Sequence, residues 1–168
     1  MNVGIVFGTF APMHLGHLDV IKIAKEEMDK VIVICCGHEE DRGYPLFPLP
    51  KRIEMATRQF SDDCQVYVTE LYDTDPEIKK NWNQQQIWNY WVDRMLLKLF
   101  QEELIVAKDR LVFYTSEGDY TELLQNTPQH IEVHKSSRVR PISGTMIRED
   151  TDKYFDQIAP AFREALQK

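Results

Sequence analysis

The chain has 168 residues, of which 43% are hydrophobic and 28% are charged, and its formal net charge is −7. This length predicts one domain with a sizeable core, and the composition is not that of a disordered chain. The acidic balance argues against a general nucleic-acid-binding surface, so a polyanionic ligand must be met by a local cluster of cationic groups and backbone donors.

The first predicted element is a buried strand at Val3–Phe7, and apolar residues recur at helical spacing from Leu18 to Met28. The stretch Gly8–His17, GTFAPMHLGH, joins the two as a strand-to-helix turn. Its glycines permit close approach of a ligand to the backbone, and a helix that begins near His14 directs N–H groups and a positive dipole end into the same space. We therefore predict an anion site here, suited to phosphate.

Two histidines sharpen this prediction. His14 and His17 lie three residues apart and share one face of the first helical turn. Taken alone, this spacing also fits a metal pair or ordinary capping residues. At the anion-attracting end of a helix, both imidazoles can donate hydrogen bonds to neighbouring phosphate oxygens without acting as covalent nucleophiles.

Further strands are predicted at Val31–Cys36 and at Gln65–Glu70, with one less buried face in the second. The loop 37–50 is rich in charge and proline and follows the carboxyl end of a strand, where doubly wound sheets bind ligands. Arg42 in this loop is either a solvated charge or a guanidinium clamp for an acceptor's phosphate. Pro50 suits the first turn of a helix that carries Arg52 near its start.

A long helix is predicted from about Gln84 to Glu103. Three tryptophans fall within ten residues, with Trp82 just before this helix and Trp88 and Trp91 inside it. Aromatic residues at this spacing either belong to the core or offer a surface on which a pyridine or purine ring stacks. Both interpretations stay open from the sequence.

The last strands are predicted at Arg110–Tyr114 and Ile131–His134. A second chemically notable string, ISGTMIR, follows at 142–148. Ser143 and Thr145 can cap a helix and present hydroxyl groups, and Arg148 lies one turn along on the same face as Thr145. Such hydroxyls are usually only caps, so this string gains its meaning by pairing with the first motif.

The three cysteines, Cys35, Cys36 and Cys64, are expected to be small buried residues in a reducing compartment rather than a disulfide framework or a zinc site. Cys35 and Cys36 are adjacent and point to opposite faces of a strand, and the chain has no C-x-x-C pair. No apolar run approaches the roughly 18 residues of a membrane span, and no signal peptide precedes the first strand. We therefore expect a cytoplasmic protein without a membrane partner.

The string GTFAPMHLGH resembles the G-x-F-x-P-x-H-x-G-H signature of the HIGH-motif nucleotidylyltransferases, and ISGTMIR resembles the I-S-x-T-x-x-R element of the same superfamily. The resemblance implies an α/β fold, a Rossmann-like doubly wound parallel sheet of about five strands with flanking helices in a single domain. The segments YTSE at 114–117, WNYW at 88–91, the Asp41–Arg42 loop and ISGTMIRED resemble, over nearly the whole chain, the nicotinamide-mononucleotide adenylyltransferase domain of the NadR family.

This resemblance implies transfer of AMP from ATP to nicotinamide mononucleotide (NMN), which forms NAD and pyrophosphate, with Mg²⁺ carried by the nucleotide and no metal ligands from the protein. It also assigns roles to residues of this sequence. The implied catalytic residues are His14, His17 and Arg148; the ATP and phosphate contacts are Gly8, Thr9, Phe10, Ser143, Thr145, Tyr114, Ser116 and Glu117; the acceptor contacts are Arg42, Trp88 and Trp91.

We expect residues 1–168 to form one nucleotidylyltransferase domain, with a helical segment 143–168 that closes the phosphate site. Members of the NadR family often carry a helix-turn-helix before this domain and a kinase after it. Neither is expected here, because the chain has no G-x-x-x-x-G-K-[ST] phosphate loop and ends about where a kinase would begin. The expected partners are small molecules and not nucleic acid, and a homo-oligomer is compatible with the sequence.

Two alternatives stay open. Another transferase of the superfamily, of the phosphopantetheine adenylyltransferase or cytidylyltransferase type, would share both motifs; the tryptophan segment and the absence of an R-T-x-G-I-S-T string favour the nicotinamide acceptor. A non-catalytic sensor that binds NAD or ATP is the other alternative. The intact His14, His17, Thr145 and Arg148 argue against it.

Overall fold

The computed structural model describes residues 1–116, 119–136 and 140–167. Within these ranges, five parallel strands form one sheet in the order β3-β2-β1-β4-β5. The elements in chain order are β1 (Asn2–Gly8), α1 (Leu15–Glu27), β2 (Lys30–Gly37), α2 (Leu49–Gln59), β3 (Val66–Tyr72), α3 (Gln84–Gln101), β4 (Arg110–Thr115), α4 (Thr121–Gln125), β5 (Glu132–Lys135), α5 (Gly144–Glu149), a 3-10 turn (Phe155–Gln157) and α6 (Pro160–Leu166). The predicted Rossmann-like sheet is confirmed.

The sheet is buried on both faces, as its apolar parallel strands require. One face packs against α1, α2, α5 and α6, with Ala24, Met55 and Phe162 in this part of the core. The other face packs against α3, where Met95 and Leu99 are buried. A sheet covered in this way is doubly wound.

The cysteines follow this division between the two faces. Cys35 belongs to the core on the α1 side, whereas Cys36 packs on the α3 side, which confirms the prediction that they point apart. Cys64 is exposed, so the expectation of three buried cysteines is wrong for this residue. It lies between α2 and β3 in a turn, where no strand or helix face covers it.

Strand β1 lies at the point where the strand order reverses, with β2 on one side and β4 on the other. In open parallel sheets, a crevice forms at the carboxyl ends of the strands at this point, because the connections on the two sides leave in opposite directions. The Gly8–His17 turn follows β1 directly into this crevice.

The C-terminal segment returns to the same place. Ile158 forms an antiparallel bridge with His14, and the Ala159 N–H donates to the Met13 carbonyl oxygen over 3.0 Å. Residues 158–159 therefore pack along the turn that carries the histidines and support it from outside the sheet.

Candidate active site

A cleft of about 1330 Å³ opens at the carboxyl ends of β1, β2 and β4. Its walls come from the Gly8–His17 turn, the loop after β2, helix α3 and the start of α5. Nearly all of the residues singled out from the sequence line it: Gly8, Thr9, Phe10, His14, His17, Arg42, Trp88, Trp91, Tyr114, Ser116, Ser143, Thr145 and Arg148. Glu117 lies outside the described residues, so the structure says nothing of its position.

The two histidines cap the start of α1 and orient each other. The Gly16 N–H donates to Nδ1 of His14 over 3.1 Å, and the His14 N–H donates to Nδ1 of His17 over 3.1 Å. Because both Nδ1 atoms accept, each neutral imidazole carries its proton on Nε2. The rings stack with centroids 3.8 Å apart, and both side chains line the cleft.

Glycine at position 16 leaves room for this pair. A Cβ at Gly16 would lie 2.9 Å from Cε1 of His14 and 3.0 Å from its Nδ1. Phe10 supports the pair from the other side, because its ring is 1% exposed and meets the His17 ring edge-on, with centroids 4.9 Å apart. The positive φ of Phe10, 51°, turns the chain so that this ring packs inward.

The start of α5 forms the facing wall. Ser143 caps the helix, its Oγ accepting from the Met146 N–H over 3.2 Å, and Arg148 donates through Nη2 to Oγ1 of Thr145 over 3.2 Å. Arg148 also donates through Nη1 to the Ala11 carbonyl oxygen over 2.6 Å. The predicted alignment of Thr145 and Arg148 on one helix face is confirmed, and the contact with Ala11 joins the two motifs.

A group of arginines gives this end of the cleft a positive field. Burial lowers the pKa of Arg148, and the neighbouring positive charge of Arg42 lowers it further. The guanidinium still stays charged at any physiological pH, since its unperturbed pKa exceeds about 12. Two guanidinium groups that repel each other are stabilised when an anion binds between them.

Arg52 is a functional candidate whose environment the sequence did not reveal. Its side chain is fully buried and forms a bidentate ion pair with Asp41, with both N–O distances 2.6 Å. Burial would raise the pKa of Asp41, but hydrogen bonds from Arg52 and from the Gly43 N–H outweigh it and hold that pKa below its usual range. The only signal in the sequence was an acid in a loop followed by an arginine in the next helix, a pattern too common to be specific.

An aromatic wall closes the cleft on the α3 side. Trp88 stacks on Tyr120, with centroids 5.1 Å apart, and Trp91 lies 4.6 Å from the ring of Phe7. Both tryptophans pack against the core and also line the cleft, so the two interpretations of these residues hold together. Phe7 and Tyr120 were not predicted as site residues, because a phenylalanine in a strand and a tyrosine in a loop carry no local signal.

The segment 73–83 forms a polar rim beside this wall. Asp73 and Lys79 line the cleft. Trp82, in contrast, packs edge-on against Tyr90, with centroids 5.2 Å apart, and is not among the described residues that line the cleft. The tryptophan cluster therefore divides into two side chains at the cleft and one outside it.

Tyr114 and Ser116 stand at the end of β4. The Tyr114 ring stacks on His134, with centroids 4.8 Å apart. Burial raises the pKa of Tyr114 to about 12, and the negative charge of Glu27 adds to this effect. The phenol therefore stays protonated near neutral pH and can donate a hydrogen bond.

The cleft brings imidazole, hydroxyl and guanidinium side chains together. Within residues 1–116, 119–136 and 140–167, no group of three or more His, Cys, Asp or Glu side chains could hold a metal ion. Among the same residues, no helix combines the length and the apolar character needed to cross a bilayer.

Comparison with known proteins places these features in a family. The family model described as cytidylyltransferase-like matches residues 5–150. The trifunctional NAD biosynthesis/regulator protein NadR of Escherichia coli is 24% identical over 94% of this chain, and the match covers 38% of NadR. The chain thus spans well under half the length of that relative.

Shorter relatives match parts of the chain. A nicotinamide-nucleotide adenylyltransferase of Saccharolobus solfataricus is 29% identical over 67% of this chain and 62% of its own length. A phosphopantetheine adenylyltransferase of Lactococcus lactis is 45% identical, over 32% of each chain. Among solved structures, NadR protein in complex with NAD and AMP-PNP superposes with a TM-score of 0.75 and 28% identity, over 96% of this chain and 45% of that one.

Proposed function

The chain belongs to the cytidylyltransferase-like family, and on that premise we propose that it is an adenylyltransferase that transfers AMP from ATP to NMN, with NAD and pyrophosphate as products. The observation that carries the proposal is the convergence of the histidine turn and the start of α5 on one cleft, joined by the Arg148–Ala11 hydrogen bond. We call these two walls, the Gly8–His17 turn and the start of α5, the phosphate clamp. The same cleft contains the aromatic wall, which suits a pyridine ring.

The two walls of the clamp would divide the triphosphate between them. His14 and His17 donate from Nε2 to oxygens of the α- to γ-phosphates, and the backbone N–H groups of Thr9 and Phe10 add further donors. Ser143, Thr145 and Arg148 hold the β- and γ-phosphates. Donors fixed in advance by capping and stacking need no reorganisation when charge develops on the leaving pyrophosphate.

The reaction itself needs positioning more than covalent chemistry. An oxygen of the acceptor's phosphate attacks the α-phosphorus in line, a new P–O bond forms, and the bond from the α-phosphorus to the bridging oxygen of pyrophosphate breaks. The attacking oxygen is already ionised at neutral pH, so no general base is required. This agrees with a cleft in which histidines serve as hydrogen-bond donors.

The acceptor would bind between the loop after β2, which carries Arg42, and the aromatic wall on the α3 side. Arg42 meets its phosphate, and Trp88 or Trp91 stacks on the nicotinamide ring. The cleft volume of about 1330 Å³ exceeds the usual range of about 300–1,000 Å³ for one small ligand, as a site for two substrates requires. The resemblance to the Saccharolobus enzyme and to the NadR structure with NAD and AMP-PNP supports this acceptor.

Mg²⁺ would enter with ATP. The cleft offers imidazole, hydroxyl and guanidinium donors to the phosphates, and no cluster of carboxylates among the described residues competes for the ion. Hard cations of this kind prefer oxygen ligands, and in such sites the phosphates and water supply most of them. When bound with ATP, Mg²⁺ would neutralise part of the phosphate charge, and the protein's donors would hold the remaining phosphate oxygens.

The second candidate is transfer of AMP to phosphopantetheine, which the similarity to the Lactococcus enzyme over 54 residues supports. Phosphopantetheine has no aromatic ring, so it would make no use of the wall formed by Trp88, Trp91, Phe7 and Tyr120. A sensor that binds the nucleotide without turnover is the third candidate.

One assay panel separates these candidates. The purified protein is incubated with Mg-ATP and with NMN, nicotinate mononucleotide or phosphopantetheine in turn, and release of pyrophosphate and the adenylylated product are both measured. We expect NAD from NMN. Turnover of phosphopantetheine without NAD formation would overturn the acceptor assignment, and binding of ATP without turnover of any acceptor would favour the sensor.

A further inference from the structure

The loop after β2 is held to α2 by a buried ion pair. Both oxygens of Asp41 accept from the guanidinium of Arg52, and the same carboxylate also accepts from two backbone groups of its own loop, the N–H of His38 and of Gly43. Arg52 in turn donates to the Phe47 carbonyl oxygen over 3.1 Å. The Arg52 side chain on α2 therefore holds both ends of the segment 38–47. It contacts Phe47 directly and reaches His38 through Asp41.

The surrounding backbone leaves room for this pair and for no larger group. A Cβ at Gly37 would lie 2.0 Å from Oδ2 of Asp41, and a Cβ at Gly43 would lie 2.2 Å from Nη1 of Arg52. The Gly43 position also touches the histidine turn, since its Cβ would lie 3.0 Å from that of Ala11. Ala11 is the residue that Arg148 holds from the other side.

Stability alone is a poor explanation for the pair. Removing two charges from water is costly, and buried ion pairs are often no more stabilising than apolar residues of the same size. The Nε of Arg52 is buried and has no hydrogen-bond partner among the described residues, which adds to the cost. What such a pair does provide is a defined geometry for the loop.

We propose that the Asp41–Arg52 pair is a positioning device that places Arg42 in the cleft, so that it meets the acceptor's anionic group at a fixed distance from Arg148. Arg42 is the neighbour of Asp41 in the chain and lines the cleft, and its charge acts on Arg148. Asp41 and Arg52 act through Arg42, and neither is a catalytic residue. The proposal rests on the proposed function for its acceptor.

The test compares three variants by steady-state kinetics with NMN and ATP varied separately. Asp41→Asn keeps the shape and removes the charge, and Gly43→Ala keeps both charges and displaces the pair. Glu132→Gln is the matched control, because Arg110–Glu132 is also bidentate but exposed and lies at the opposite end of the sheet. We expect Asp41→Asn to raise the acceptor KM about tenfold, with the ATP KM nearly unchanged, and Gly43→Ala to raise the acceptor KM at least as much.

A double-mutant cycle tests whether Asp41 influences acceptor binding through Arg42. If Asp41 acts through Arg42, Asp41→Asn has no further effect on the acceptor KM once Arg42→Ala is present. Additive effects, a fall in kcat alone, or equal rises in both KM values would overturn the proposal, since a general loss of structure gives these results.

Hydrogen exchange of the ligand-free protein gives an independent readout. The backbone N–H groups of residues 38–47, Pro45 excepted, are expected to exchange faster in Asp41→Asn and Gly43→Ala than in the unaltered protein. Glu132→Gln should leave these rates unchanged, and equal rates in all four proteins would overturn the proposal. If the proposed function is wrong, the unaltered protein will turn over no acceptor. In that case, the hydrogen-exchange rates still test whether the Asp41–Arg52 pair orders the loop.

Discussion

Arg148 donates from Nη1 to the carbonyl oxygen of Ala11, 2.6 Å away, although the two residues are 137 positions apart in the chain. The same guanidinium donates to Oγ1 of Thr145. One side chain thus joins the turn after β1 to the start of α5, and these are the two walls between which we place the triphosphate.

Replacing Arg148 tests this junction. Arg148→Ala is expected to lower kcat/KM by about 10²–10³, because it removes a phosphate donor and the tie to Ala11 together. Arg148→Lys keeps the charge but not the planar fork, so its loss should be intermediate. Arg110→Ala, at an exposed ion pair far from the cleft, serves as control. Activity of Arg148→Ala equal to that of the control would contradict the clamp.

The Nε2 donor of His17 can be removed while its capping bond is kept. In His17→Asn, the side-chain oxygen can replace Nδ1 as acceptor for the His14 N–H, whereas no donor remains at the Nε2 position. We expect turnover to fall by about 10²–10³ with a nearly unchanged Tm. His17→Ala removes the Nε2 donor and the capping acceptor together, so both turnover and Tm should fall. A comparable rate in His17→Asn and the unaltered protein would show that His17 acts only as a cap.

Gly16→Ala probes the space around His14. The added Cβ would lie 2.9 Å from Cε1 of that ring and displace it. Alanine also favours helix by about 1 kcal/mol over glycine, so we expect turnover to fall at least tenfold while stability is kept or raised. Lys22→Ala, at an exposed position of α1, is the control for an added alanine in the same helix away from His14. Full activity of Gly16→Ala would show that the position of His14 is not critical.

Changes to the aromatic wall should alter the KM for the acceptor and leave the KM for ATP unchanged. Trp88→Leu keeps an apolar residue but removes the stacking surface, which is worth about 1–3 kcal/mol per base, and should raise the NMN KM about 5- to 150-fold. Trp82→Phe, outside the cleft, is the control. The measurement is kinetics with each substrate varied. A rise in the ATP KM alone would place adenine rather than nicotinamide at this wall.

The Asp41–Arg52 pair predicts a pH dependence of stability. Because the pKa of Asp41 lies below its ordinary value of 3.8 in the folded protein, the carboxylate stabilises the fold above that value, and this contribution is lost as the pH falls through the lowered pKa. The unfolding free energies of the unaltered protein and Asp41→Asn should differ by about 3–5 kcal/mol near neutral pH. In urea-unfolding experiments, the difference in unfolding free energy between the two proteins should become smaller as the pH falls below 3.8. A difference independent of pH would contradict the ion pair.

Much of the fold follows from local patterns. The predicted strands at 31–36 and 110–114 lie within observed strands. The predicted and observed ends differ by a few residues, as for β3, which continues to Tyr72. The turn at Gly8–His17 and the cap at Ser143 were also readable, since capping and glycine turns depend on neighbours in the chain. Cys64 was misjudged, because its burial depends on what packs over a turn.

The sequence by itself determined the periodicities, the two motifs and the helix starts at which they stand, because these depend on interactions within a few residues. Only the tertiary structure decided which distant groups meet. Sheet order brings β1 and β4 together and opens the cleft between them, and packing of the C-terminal segment sets Arg148 against Ala11. The burial of Arg52 and the addition of Phe7 and Tyr120 to the aromatic wall arise in the same way, since the environment of a side chain is set by the elements that pack around it.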